Sequence, residues 1–122
     1  MRVSDYYPVF YAEDFDGEIK RLTEDLGYEL KHRPNIEMLD YAILENEKNR
    51  RIDVVRSHFP ADSFSDGFLG MRANVDNFEE GVAYFEKLGY SFFGEPHETE
   101  KSITGLMTKS GNEYIIVFHH KK

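Results

Sequence analysis

No cysteine occurs in the 122 residues. That absence excludes disulfides, thiolate metal sites and a cysteine nucleophile, though it says little about compartment. Apolar runs are short, none approaching the ~18 residues of a membrane span, so no membrane partner is expected. The opening stretch, MRVSDYYPVF, has one arginine followed by polar residues and lacks the apolar core of a signal peptide. The expectation is a soluble, cytoplasmic protein. Basic charge is scarce as well: 15 Lys and Arg stand against 23 Asp and Glu, a formal net charge of −8. Nucleic-acid binding calls for a basic stripe, and the only basic clusters are KNRR (48–51) and the terminal KK. The first reads as a solvated turn, so no nucleic-acid partner is expected. The acidic field favours a cationic or neutral ligand.

What the chain does have is a repeated phrase. EDLGYEL (24–30) and EKLGYSF (86–92) each close a helix-like stretch and open a strand-like one. In 14–27, Phe15, Ile19, Leu22 and Leu26 recur at helical spacing, with Asp14 at the N-cap position and Gly27 at C′. In 77–89, Phe78, Val82 and Phe85 form the matching face, Asn77 is the cap and Glu80 completes a capping-box pattern. The faces match at an offset of 63 residues and the Leu-Gly-Tyr endings at 62, so the second helix is one residue shorter. Helices are expected at about 14–26 and 77–88. Strand-like segments precede each helix (5–12 and 68–75), and three more follow each one (28–34, 38–45, 50–57; 90–95, 101–109, 112–120). Turn-forming residues separate them. The chain therefore reads as one α+β domain of two tandem βαβββ modules, 1–57 and 68–122, joined by a linker at 58–67.

This pattern resembles the vicinal oxygen chelate superfamily, which includes glyoxalase I, extradiol dioxygenases and the fosfomycin- and bleomycin-resistance proteins. The resemblance covers essentially the whole chain. It rests on the strand–Asp–helix–Leu-Gly-aromatic phrase and on the Gly111-Asn112 turn before the last strand. It implies that each module curls into half of a curved-sheet cup, often completed across a homodimer, with ligands bound inside. Metal-dependent members carry a histidine seven residues before each helix cap. They also carry a Glu or His in an Ile-Glu-Leu-like strand and a Glu four residues after the final-turn glycine. Here those positions are Tyr7, Gly70, Asp53 (in Ile52-Asp53-Val54) and Ile115. One carboxylate cannot hold a divalent ion against water, so no metal and no other cofactor is expected. Pro8-Val9 in the first strand is similar to the metal-free bleomycin-resistance proteins, in which that strand is exchanged between protomers.

Strand alternation sorts the candidate residues by face. Tyr7, Val9 and Tyr11 are expected to line the cup with Asp53, Val55, Gly70, Arg72, Asn74, Ile115 and Val117. Tyr6, Phe10, Leu69, Met71, Ala73 and Val75 are expected to pack under the helices. The ligand-binding candidates are thus Tyr7, Val9, Tyr11, Asp53, Arg72, Asn74 and Ile115, with no catalytic residue assigned. Plainer roles stand beside these: half-buried sheet tyrosines, and an internal Arg72–Asp53 salt bridge. His119 and His120 read as a terminus, and His32, His58 and His97 as surface residues. Two functions fit this set. One is a dimeric, metal-independent small-molecule binder, as in antibiotic sequestration. The other is a lyase, isomerase or related enzyme that uses acid–base side chains or an unconventional metal site.

Overall fold

The computed structural model describes residues 1–36, 39–58, 66–110 and 113–121. Most of the expected 58–67 linker and the Gly111-Asn112 turn lie outside the described residues. Helix formation follows the caps. Asp14 accepts the Gly17 N–H at 3.1 Å and starts α1 (Phe15–Lys20), which continues as a π-helical turn over Arg21–Asp25. Asn77 accepts the Glu80 N–H at 3.0 Å and starts α2 (Phe78–Lys87). The Glu80 side chain does not return to the cap. It pairs with the Met1 amine at 2.8 Å instead.

Both helices stop at the repeated Leu-Gly-Tyr. Gly27 and Gly89 take positive φ (75° and 99°), the left-handed geometry that favours glycine at C′. At α2 the Gly89 N–H donates to Glu86 O and the Tyr90 N–H to Phe85 O, both at 3.0 Å, which together make a Schellman closure. At α1 the corresponding Tyr28 N–H reaches Leu22 O at 2.9 Å, one residue further back. The extra residue of the first repeat is housed in the π-helical turn, a single-residue insertion that keeps the cap, the face and the ending. Its cost falls on Leu26, which is 54% exposed where the periodicity expected burial. One inserted residue turns everything after it by about 100° around the helix axis.

Nine strands occur among the described residues: β1 (Val3–Tyr11), β2 (Glu29–His32), β3 (Leu39–Glu45), β4 (Arg51–Ser57), β5 (Gly67–Val75), β6 (Ser91–Phe92), β7 (His97–Glu98), β8 (Ser102–Lys109) and β9 (Glu113–His120). The expected strand over 90–95 is short and resumes as β7 after Gly94 (φ 78°) and Pro96, a proline that cannot donate to a ladder. The chain packs as two units, Pro8–Leu69 and Met1–Tyr7 with Gly70–Lys122. Strand β1 changes unit at Tyr7–Pro8, and β5 changes at Leu69–Gly70.

In the unit Pro8–Leu69, β2 pairs antiparallel with β3 and β3 with β4, while β4 lies parallel to the end of β1. Helix α1 covers one face. Phe15, Ile19 and Leu22 bury against Ala12, Ala42, Leu44 and Val54, with Tyr28 and Ile52 at the margin. The second unit repeats the connectivity: β6 and β7 pair with β8, β8 with β9, and β9 lies parallel to β5. There α2 buries Val82 and Phe85 against Ala73, Val75, Met107, Ile115 and Val117. Each helix thus fills one sheet face with branched and aromatic side chains and leaves the other face for other uses. No helix among the described residues is long and apolar enough to cross a membrane.

Candidate functional site

In the unit Pro8–Leu69, register decides which side chains share the face turned away from α1. Val9 stands beside Asp53 and Tyr11 beside Val55 across the parallel pair. Across the antiparallel pair, Ile43 faces Asp53 and Tyr41 faces Val55. Val9, Tyr11 and Asp53 therefore share one face, as expected. Phe10, beside Val54, lies on the α1 side and meets Phe68 edge-to-face at 5.9 Å.

Asp53 is 0% exposed. A buried carboxylate must be answered, and two residues that periodicity did not single out answer it. Arg51 Nε donates to Oδ1 at 2.7 Å and Arg51 Nη2 to Oδ2 at 3.0 Å, a two-pronged ion pair. The Tyr41 hydroxyl donates to Oδ2 as well. Arg51 was legible in principle, since it stands two residues before Asp53 on the same strand. Tyr41 was not, because the β3–β4 register brings it there.

Tyr11 is buried beside this network. Its hydroxyl accepts the Ser57 amide and donates to Glu13 Oε2 at 3.3 Å. Burial and then the negative charge of Glu13 push its pKa above the usual phenol value. The Ser57 amide and Arg56 oppose that rise. Tyr11 is a neutral hydrogen-bonding phenol at physiological pH. On the α1 side, a cleft of about 480 Å³ is lined by Phe10, Asp14, Gly17, Glu18, Arg21 and Asp66, among others.

In the unit that holds Met1–Tyr7 and Gly70–Lys122, β5 and β9 pair Gly70 with Tyr114, Arg72 with Ile116 and Asn74 with Phe118. These six share the face away from α2. Arg72 Nε donates to Asn74 Oδ1 at 3.0 Å, and its guanidinium lies 4.1 Å from the centroid of the Phe118 ring. The two contacts restrain the guanidinium, one through a hydrogen bond and one through the face of the aromatic ring. Tyr7 is half-buried on the same unit's part of β1. Near the end of β9 a cleft of about 580 Å³ is lined by Asp5, Asn74, Asp76, Phe118, His119 and His120, among others. His119 Nδ1 donates to Val75 O at 2.9 Å.

Two placements correct the expectations. Ile115 and Val117 do not face away from the helix; both lie in the core under α2, beside Met71 and Ala73 across the pair. Counting four residues from Gly111 lands on the wrong face, and a one-residue change of register inverts every side chain. The residues on the open face are Tyr114 and Ile116. Tyr6, expected beneath a helix, is 56% exposed.

Three of the four positions matched to the superfamily's metal ligands, Gly70, Ile115 and Asp53, have defined surroundings. At Gly70 a Cβ atom would lie 1.8 Å from the Tyr114 carbonyl oxygen, so no side chain of any kind fits there without moving backbone. Ile115 is apolar and sealed in the α2 core. Asp53 has both oxygens engaged by Arg51 and Tyr41. Among the described residues no group of three or more His, Asp or Glu could hold a metal ion. Of these positions only Asp53 carries a carboxylate.

No protein-family model matches the sequence, and no curated protein does. Solved structures do match in fold. Methylmalonyl-CoA epimerase from Mycobacterium tuberculosis superposes with a TM-score of 0.74 at 14% identity, over 98% of this chain and 90% of that one. Streptomyces coelicolor methylmalonyl-CoA epimerase in complex with 2-nitronate-propionyl-CoA gives 0.71 at 11%, over 100% and 99%. A hypothetical protein from Bacillus halodurans gives 0.71 at 10%, over 99% and 95%. The chain has the α+β glyoxalase/bleomycin-resistance fold of these structures.

Proposed function

We propose that this chain binds a small-molecule ligand on sheet faces turned away from its helices, and that it does so without a divalent metal. Gly70 carries the reading: a position that supplies a metal-binding histidine elsewhere in the superfamily here leaves no room for any side chain. Tyr7, Arg72 and Asn74 are the proposed contacts on one unit, with Val9 and Tyr11 on the other. Asp53 is enclosed and acts through Arg51 and Tyr41 rather than by touching ligand. Sequestration of an antibiotic is one form such binding can take. A homodimer belongs to the same reading, because the exposed edge strand β2 invites cover. Sedimentation at micromolar concentration should give twice the chain mass, and a monomer would remove that part.

The similar structures favour a catalytic version of the same reading more than they favour sequestration. Several are methylmalonyl-CoA epimerases, and some are described in complex with CoA thioesters. In this second reading the chain is an isomerase whose tyrosines move a proton beside a carbonyl, held in place by the buried Arg51–Asp53 pair. One experiment separates the two. Methylmalonyl-CoA is incubated with the chain in D₂O, with and without a chelator, and the α-proton is followed by NMR. Exchange at a steady rate establishes the isomerase. Saturable binding of a small molecule without exchange establishes the binder. Exchange that disappears with chelator refutes metal independence.

A further inference from the structure

We propose that the cleft at the carboxyl ends of β5 and β9 binds a small planar organic cation that carries N–H donors. The inference rests on the small-molecule reading above and adds the charge and shape of the ligand. Every residue lining the cleft belongs to one unit. Its volume of about 580 Å³ falls within the roughly 300–1,000 Å³ usual for small-molecule sites. His119 sets the polarity of this space. A carbonyl oxygen only accepts, so the 2.9 Å contact with Val75 O places a ring proton on Nδ1. In the neutral ring Nε2 is then a hydrogen-bond acceptor, and the backbone of β5 fixes its orientation. Among the described residues His119 makes no other hydrogen bond or ion pair.

An aromatic wall stands beside this acceptor. The Phe118 and His120 rings meet edge to face, with 4.7 Å between centroids. Phe118 already takes one flat cation, the Arg72 guanidinium at 4.1 Å, so planar positive groups suit this wall. The other polar groups point the same way. Asp5 accepts only the Ser4 hydroxyl, at 3.3 Å, and among the described residues it has no ion pair. Asp76 accepts the Arg2 N–H at 2.7 Å, and that bond holds its carboxyl below the ordinary aspartate value, so it stays ionised. Among the described residues no lysine or arginine lines the cleft. An anion would therefore meet two carboxylates with nothing to offset them, and the chain's net charge of −8 adds to that preference. A metal ion fits less well than an organic cation, since no three His, Asp or Glu groups among the described residues could share one ion.

Benzamidine serves as the probe, titrated calorimetrically into the full chain, with benzamide as its neutral counterpart and benzoate as the anion. Benzamidine should bind wild-type protein, benzamide about tenfold more weakly, and benzoate not at all. Asp5 is exposed, so Asp5→Asn keeps the fold, and it should lose about tenfold in benzamidine affinity. His119→Ala should lose about as much. That residue also ties β9 to β5, so its variant is checked by thermal unfolding, and nitrogen NMR of wild type supplies a second readout. There the His119 Nε2 resonance should move as benzamidine is added, while Nδ1 keeps its bond to Val75 O. Several results would overturn the inference: no benzamidine binding at millimolar concentration, benzamide binding as tightly as benzamidine, or equal affinity in wild type and Asp5→Asn. A His119→Ala variant that loses stability but keeps its affinity would assign His119 a structural role alone and overturn it too. A neutral or anionic molecule that binds wild type while benzamidine does not would sink this inference and leave the proposed function standing.

Discussion

A side chain at position 70 has nowhere to go, and that sets a testable limit on the chain's chemistry. Gly70→Ala places Cβ 1.8 Å from the Tyr114 carbonyl oxygen, against backbone rather than a flexible tip. Relief requires β5 and β9 to shift, so the variant should lose roughly 1–3 kcal/mol in urea unfolding, as overpacked sites do. Gly70→His should lose more and gain no metal. Asp53 shows the opposite case, a side chain that cannot be removed cheaply. Breaking a buried ion pair typically costs ~3–5 kcal/mol, because the surviving charge is stranded. Arg51→Met alone should therefore destabilise by about that amount. Replacing both partners, Arg51→Met with Asp53→Leu, should recover most of it. If Arg51→Met unfolds at the wild-type urea concentration, the pair is not what stabilises this face.

The elements show how a repeat absorbs an insertion. Offsets of 63 for the faces and 62 for the endings are visible in the sequence, and the structure gives the spare residue a place in the Arg21–Asp25 turn. Thr23 Oγ1 donates to Ile19 O at 2.9 Å there, occupying a carbonyl that the turn would otherwise leave weakly bonded. Deleting exposed Glu24 should convert the segment to regular α-helix ending as α2 does. Urea unfolding should then stay within about 1 kcal/mol of wild type, since caps and the buried face are kept. A larger loss would mean that the π turn itself is needed for packing.

At the scale of the whole molecule, alkaline pH probes both units together. Tyr11 is raised chiefly by burial and then by Glu13; Tyr90 is raised by burial and then by Glu113. A raised phenol binds its proton more tightly when folded. Its contribution is therefore fully present below the unfolded value of about 10 and is lost as pH climbs through the higher folded value. Thermal unfolding should show stability declining above about pH 10, with a shallower decline in Tyr11→Phe. An unchanged slope in that variant would mean the phenol is solvated in the folded state.

Local chemistry was enough to specify the caps, the left-handed glycines, the helix faces apart from Leu26 and the order of strands, because each depends on neighbours a few residues away. Tertiary register decided the rest. The run Tyr114-Ile-Ile-Val-Phe118 is apolar on both sides, so alternation gives no sign of which side meets α2, and only pairing with β5 and β8 turned Ile115 and Val117 inward. Tyr41 reached Asp53 because the β3–β4 pairing set Ile43 opposite Asp53 and Tyr41 two pairs further along, on the same face; nothing within β3 itself foretells that contact. The closure at Gly70 likewise depends on how near β9 runs to β5, a distance that no stretch of sequence contains.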